Sequence, residues 1–304
     1  MSAGPNPTGD ADRNGSQRRS AVVRGRPAGQ RMAKRGADGE RMAGRSGRPQ
    51  NSRGDDGRAQ GSGRPQTQRR GEAMSDGESA RLELPVDADG SELDRDVRQE
   101  LLTLSKGLSE LVGSHLVMAA RLLDEDPQLA LEHARFARSK AGRVAAVREV
   151  AGLSAYHAGE WSEALAELRA ARRLGGDTGR LAVLADCERA LGRPERALEI
   201  ARSPEARQLG TEESVELRIV AAGARRDLGQ FDAAVIALQG PDLEEAGEEP
   251  WRARLRYAYA DNLLAAGREQ DAIRWFLSAA EVDVDEATDA AERAVELSER
   301  PAPE

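Results

Sequence analysis

The sequence predicts an all-α protein, a solenoid of about five helix pairs closed by a C-terminal capping helix and preceded by a disordered N-terminal tail. Three observations carry this expectation. First, one phrase recurs, a turn glycine that opens an amphipathic helix: Gly159-Glu160-Trp161-Ser162-Glu163-Ala164-Leu165, Gly192-Arg193-Pro194-Glu195-Arg196-Ala197-Leu198, Gly229-Gln230-Phe231-Asp232-Ala233-Ala234-Val235 and Gly267-Arg268-Glu269-Gln270-Asp271-Ala272-Ile273, with a weaker version at Glu125-Asp126-Pro127-Gln128-Leu129-Ala130-Leu131. Second, its alanines, Ala130, Ala164, Ala197, Ala234 and Ala272, lie 34, 33, 37 and 38 residues apart. At that period one helix–turn–helix unit stacks on the next. Third, all nine aromatic residues fall at Phe136 or later, so the first part of the chain cannot build a conventional core.

Charge divides the chain in the same place. Residues 1–73 hold 16 Lys+Arg against 7 Asp+Glu, net +9, and residues 74–304 hold 29 against 46, net −17, which sum to the overall −8. This is a basic tail on an acidic body. Lysine occurs only at 34, 106 and 140, so 42 of the 45 basic residues are arginine. Together with the Ala and Gly richness this reads as the coding bias of a GC-rich bacterial genome. The single Cys187 excludes an internal disulfide and a multi-cysteine metal site. No apolar run approaches the roughly 18 residues of a membrane span. Met1-Ser2-Ala3-Gly4-Pro5 lacks the apolar core of a signal peptide. The expected location is the cytoplasm, with no membrane partner.

Residues 1–85 read as the disordered tail, because Gly, Arg, Ser, Gln, Asp and Pro without apolar periodicity cannot offset chain entropy. Arg24-Gly25-Arg26-Pro27 resembles an AT-hook core, in which an extended Arg-Gly-Arg lies in a narrow minor groove. Ser46-Gly47-Arg48-Pro49 and Ser62-Gly63-Arg64-Pro65 repeat the tripeptide but carry Ser in place of the flanking Arg. Arg24, Arg26, Arg48 and Arg64 are thus the candidate nucleic-acid contacts, against the plainer reading of a solvated polycation or linker. Met74-Ser75-Asp76-Gly77 offers a second translation start, which would leave residues 1–73 outside the native protein.

The helical domain is expected over 91–300. Ser91 is the expected N-cap of a stripe that runs Leu93, Val97, Leu101, Leu104, Leu108, Leu111 and Val112, with a break near Gly107 or Gly113. Helix pairs follow at about 111–139, 141–174, 178–202, 212–239 and 249–281. Asp177-Thr178 and Thr211 are expected caps, Pro250 suits a first helical turn, and Gly175-Gly176 and Gly240-Pro241 are expected terminators. Asp285 to Arg300 carries Ala287, Ala290, Ala291, Ala294, Val295 and Leu297 on one side, as a capping helix should.

This pattern resembles the tetratricopeptide repeat family. The quoted residues are the small helix A positions Gly152, Ala185, Ala222 and Ala260, the turn glycines Gly159, Gly192, Gly229 and Gly267, and the helix B alanines Ala164, Ala197, Ala234 and Ala272. Glu125 stands where the first turn glycine should be, and the usual helix A tryptophan is missing. The resemblance implies a right-handed α-solenoid that binds a protein or peptide on a concave face lined by the A helices. Carried over position by position, that face holds His115, Glu149, Tyr156, His157, Asp186, Arg189, Arg226, Tyr257 and Asp261, with Asn262 close by. The Lys/Asn/Arg clamp of the family's chaperone-binding members is absent from these positions, so that partner is not implied.

Little else in the sequence suggests chemistry. His115, His133 and His157 fall in different helices without metal spacing, Cys187 reads as a buried thiol, and Gly175-Gly176-Asp177-Thr178-Gly179 is a helix–helix turn, not a phosphate loop. Glu244-Glu245 and Glu248-Glu249 read as solvated loop residues, and Trp161, Trp275 and Phe276 as inter-repeat core. Tyr156 and His157 admit two roles: packing with helix-end capping, or ligand contact. The expected function is a non-enzymatic scaffold or adaptor with no catalytic residue, cofactor or metal. The alternative is a nucleic-acid- or ribosome-associated protein tethered through its tail.

Overall fold

The computed structural model describes residues 82–300 apart from 176–179, 246 and 248. The tail expected over 1–85 therefore lies almost wholly outside the described residues, as do Arg24, Arg26, Arg48, Arg64 and the Asp177-Thr178 cap. The described residues are all-helical, without a strand, and none of their helices is long and apolar enough to cross a membrane. In order the helices are α1 Arg95–Leu101, α2 Lys106–Arg121, α3 Pro127–Ala141, α4 Ala145–Ala158, α5 Trp161–Arg173, α6 Leu181–Ala190, α7 Pro194–Ala201, α8 Thr211–Asp227, α9 Phe231–Leu238, the short α10 Pro241–Glu244, α11 Pro250–Ala265, α12 Glu269–Ala280 and α13 Ala290–Glu299. Each expected pair has its two helices within a few residues of the expected borders, and helices adjacent in sequence pack on one another from α2 to α7 and from α11 to α13.

The N-terminal edge departs from expectation. Ser91 does not cap a long helix; it lies in a single 3-10 turn, Gly90–Glu92, and donates its amide to the Asp89 side chain at 2.7 Å. The stripe breaks over 102–105, just before α2 and two residues ahead of Gly107, whereas Gly113 lies inside α2. Leu111 is partly exposed, whereas Leu82 and Ala88, upstream of the expected start, are buried. Arg121 pins this segment to the end of α2 through Glu92 and, at 3.1 Å, Asp87. Val144, just before α4, has no side-chain cap to offer. Glu100 of α1 supplies one instead, accepting the Ala146 amide at 2.9 Å. Thr211 is likewise the first residue of α8, with Gly210 in the capping place.

The four turn glycines share one geometry. Gly159, Gly192, Gly229 and Gly267 all take left-handed φ, between +72° and +83°, where a side chain is strained. The next residue's amide closes back five places, Glu160 on Ala155 at 2.8 Å and Arg193, Gln230 and Arg268 on Glu188, Arg225 and Leu263 at 2.9 Å. That is the Schellman closure of a helix C-terminus. Five residues beyond each glycine, Ala164, Ala197, Ala234 and Ala272 are completely buried. Seven residues before it sits the small helix A residue, and at Gly152 the space is filled: a Cβ there would meet Leu168 Cγ at 2.6 Å.

The core runs in three successive clusters joined by shared helices. The first lies among α1 to α4, the second among α3 to α8, and the third among α8 to α13. Helix α4 gives Val147, Val150 and Ala151 to the first cluster and Leu153, Ala155 and Tyr156 to the second. Helix α8 gives Leu217, Val220 and Ala221 to the second and Val215, Ile219 and Ala222 to the third. These two helices face apolar neighbours on both sides, so each carries buried apolar residues on two faces. Helix α13, expected as the cap, buries only Ala290, Ala294 and Leu297; Ala291 and Val295, expected on the same side, are exposed.

Helix propensity alone favours Ala over Gly at position 152 by about 1 kcal/mol. The Leu168 contact reverses that sign. Gly152→Ala is expected to destabilise the fold by about 1–3 kcal/mol in urea unfolding.

Candidate functional site

The polar residues that the sequence assigns to a binding face are bonded to one another across successive helix pairs. Tyr156 and Arg226 stand three residues before their turn glycines, and Asp186 and Asp261 six before theirs. The Tyr156 hydroxyl donates to Asp186 Oδ2 at 2.6 Å, joining α4 to α6, and Arg226 Nη1 donates to Asp261 Oδ2, joining α8 to α11. Between them the register is interrupted, because the place six before Gly229 is Gly223, which has no side chain. Arg189, three before its own glycine, reaches Asp227 instead, Nε to Oδ2 at 2.7 Å and Nη2 to Oδ1 at 3.2 Å, while its Nη1 holds Asp186 Oδ1 at 3.0 Å. Asp261 also receives Arg293 of α13 at 3.5 Å.

Since Arg226 and Asp227 are neighbours in the chain, these bonds form one ladder from Tyr156 on α4 to Arg293 on α13. Two further rungs run beside it: Arg180 Nε donates to Glu149 Oε1 at 2.8 Å, and Arg254 Nε to Glu216 Oε1 at 2.6 Å. Burial works against the charge of Arg189, yet Asp227 and Asp186 hold its pKa above that of a free guanidinium. Such pairs, once formed in a half-dry setting, are costly to break from one side only.

Accessibility sets the limits on what this face can offer a partner. Tyr156 is 1% exposed, Tyr257 5%, His157 6% and Asp186 7%, so none of the four is a free anchor. Tyr156 packs edge-on against Trp161, and Tyr257 against Phe276 with ring centres 5.2 Å apart. The Tyr257 hydroxyl has no hydrogen bond of standard geometry among the described residues, and burial together with nearby Asp289 and Asp261 pushes its ionisation up. His157 Nδ1 lies 3.7 Å from Asp124 Oδ1, tying α4 to the end of the first pair's A helix. Asn262 is buried and donates to Ala258 O within its own helix. Glu149, Arg189, Arg226 and Asp261 remain partly open to solvent.

Two arrangements were missed in the sequence. His115 and His133 meet Nδ1 to Nδ1 at 2.9 Å in the buried interface of α2 and α3, with Phe136 4.1 Å from the His115 ring. Their equal distance from Asp124 was a usable signal, since nine residues on either side of a helix hairpin's turn lie opposite one another. Burial, and then the proximity of His133, lowers the His115 pKa to about 4; burial also lowers that of His133. A neutral pair suits the geometry, one ring donating and the other accepting. Second, the acidic loop before α11 is not merely solvated. Glu249 accepts from Arg252 at 2.6 Å, and the buried Arg256 reaches the carbonyls of Leu243, Glu245 and Ser278.

Among the described residues no three His, Cys, Asp or Glu side chains gather as metal ligands, and Cys187 is buried. No protein-family model matches the chain, and no curated protein matches it.

Two outcomes follow from the bonds described. Arg189→Ala removes the counter-charge of the buried Asp186, leaving it only the Tyr156 hydroxyl, and should destabilise the fold by about 2–3 kcal/mol, whereas Arg196→Ala, in an exposed pair with Glu199, should leave the melting temperature unchanged. For the histidines, His115 has a folded pKa near 4 against 6.5 for a free imidazole, so the unfolded chain binds more protons between those values. Stability should therefore fall as pH drops from 6.5 towards 4, by on the order of 2 kcal/mol after allowance for solvent screening. His115→Leu/His133→Leu should be flat across pH 6.5 to 5 in thermal unfolding.

Proposed function

We propose that this chain is a non-enzymatic scaffold of the tetratricopeptide type, a right-handed α-solenoid that binds a protein or peptide partner. The repeated register carries the reading. Each turn glycine and each buried helix B alanine recurs at the same offset, as do the Tyr156–Asp186 and Arg226–Asp261 rungs between A helices, which supports units stacked in chain order. The partly open charges Glu149, Arg180, Arg226 and Asp261 are the proposed contact face, and the aromatic pair Tyr156 and Tyr257 holds the helices beneath it.

This assignment changes how binding should be tested. Substituting Tyr156, Arg189 or Tyr257 removes internal support, so a loss of binding there would not separate contact from folding. Exchanging the members of one isolated rung keeps the bond and inverts the charge seen from outside. Glu149→Arg with Arg180→Glu is expected to keep the wild-type melting temperature and to weaken partner capture at least about tenfold, an interfacial charge reversal costing several kcal/mol.

A nuclease-treated, salt-titrated pull-down with residues 1–304 and 74–304 separates this function from its alternative. Capture of the same salt-resistant protein by both chains supports the scaffold. Capture by the longer chain alone, released by nuclease or by moderate salt, would assign the function to the Arg/Gly tail and a nucleic acid.

A further inference from the structure

We propose that the C-terminal helix α13 exchanges reciprocally between two copies of the chain, each copy's α13 filling the α11/α12 groove of the other. The groove's fit to this helix is shown within one chain. Ala290, Ala294 and Leu297 enter the core beside Phe276 and Ala279, Arg293 lies over the Phe276 ring at 5.1 Å, and its Nη2 meets Asp261 at 3.5 Å. Positions 290, 293, 294 and 297 are one helix face, the spacing by which an amphipathic helix occupies a groove.

Two features make that occupancy exchangeable. The hold is light, since only two alanines and one leucine are buried on a ten-residue helix that is too short to persist alone. The hinge before it is strained. Among the described residues Glu286 is the one non-glycine with left-handed φ, +49°, inside a tight turn that Asp283 closes by accepting the amides of Ala287 and Thr288 at 2.9 and 2.8 Å. A short strained hinge favours exchange because opening it relieves the strain in both copies while every groove contact is remade. At low concentration the short tether keeps α13 in its own groove. At high concentration, or on refolding, the second copy competes.

The test uses the full chain, with light scattering after refolding over a concentration series. Wild type should form a concentration-dependent dimer. Glu286→Gly removes the strain and should lower the dimer fraction about tenfold, whereas Glu286→Pro, which cannot take a positive φ, should be mostly dimeric. Arg293→Glu and Asp261→Arg chains each meet like charges at this contact in monomer and homodimer alike, and should form a heterodimer when refolded together, because one of its grooves regains the native pair and the other a reversed one. A monomeric Glu286→Pro chain would overturn the proposal. So would a wild-type dimer that persists undiminished in Ala294→Glu, because another surface would then be holding it.

Discussion

Close approach between paired helices is the constraint on which this structure depends. At each of four turns a glycine in the left-handed region reverses the chain, and a small residue seven places before it faces the following helix. Ala164, Ala197, Ala234 and Ala272 have no exposed surface, so there is no slack to take up a larger side chain. Packing of this kind brings backbones together but buries little area per contact, and an alanine contributes far less than a leucine or phenylalanine. A core so rich in alanine needs other forces between units.

The ladder of charged and phenolic side chains supplies one. Its rungs join α4 to α6, α6 to α8, α8 to α11 and α11 to α13, which are junctions between pairs and not within them. Within a pair the alanines act; between pairs the ladder acts together with the shared clusters on α4 and α8. Where Gly223 removes the regular acceptor, Arg189 turns to Asp227, so the ladder continues with a different residue and the same sign of charge. The fold thus tolerates the loss of an acceptor provided another carboxylate lies within the reach of a guanidinium.

How much of this could be read beforehand follows from the range of each interaction. Turns and helix pairs were legible because glycine and alanine act within some ten residues of their own position. The segment from Leu82 to Ala88 was not, because an irregular strand of chain that buries two side chains leaves no periodic trace. The site residues Glu149, Asp186, Arg189, Arg226 and Asp261 were identified by position, but their direction was not. Polar residues on an A helix were expected to face a partner; in the structure they bond to a neighbouring A helix, with Glu149, Arg226 and Asp261 still partly open to solvent. The opposite signs at Arg226, three places before its turn glycine, and Asp261, six places before the next one, held that information in the sequence. Only the packing of α8 against α11 turns such a coincidence of sign into a bond.

The arginine excess gains a second meaning from these contacts. Of the 45 basic residues, 42 are arginine, which the sequence alone reads as coding bias. The structure nevertheless uses what lysine lacks. Arg189 spreads three donors over two carboxylates, Arg135 grips both oxygens of Glu163, and Arg256 spans three carbonyl oxygens from one buried guanidinium. An ammonium is a point charge on a flexible stem and cannot hold two acceptors in fixed directions at once. The structure therefore uses the arginine excess whatever its origin, and the cause and the consequence of that excess are separate questions. The ladder is where they meet: its guanidiniums hold neighbouring helix pairs in register, and the alanine contacts within those pairs are too small to do so alone.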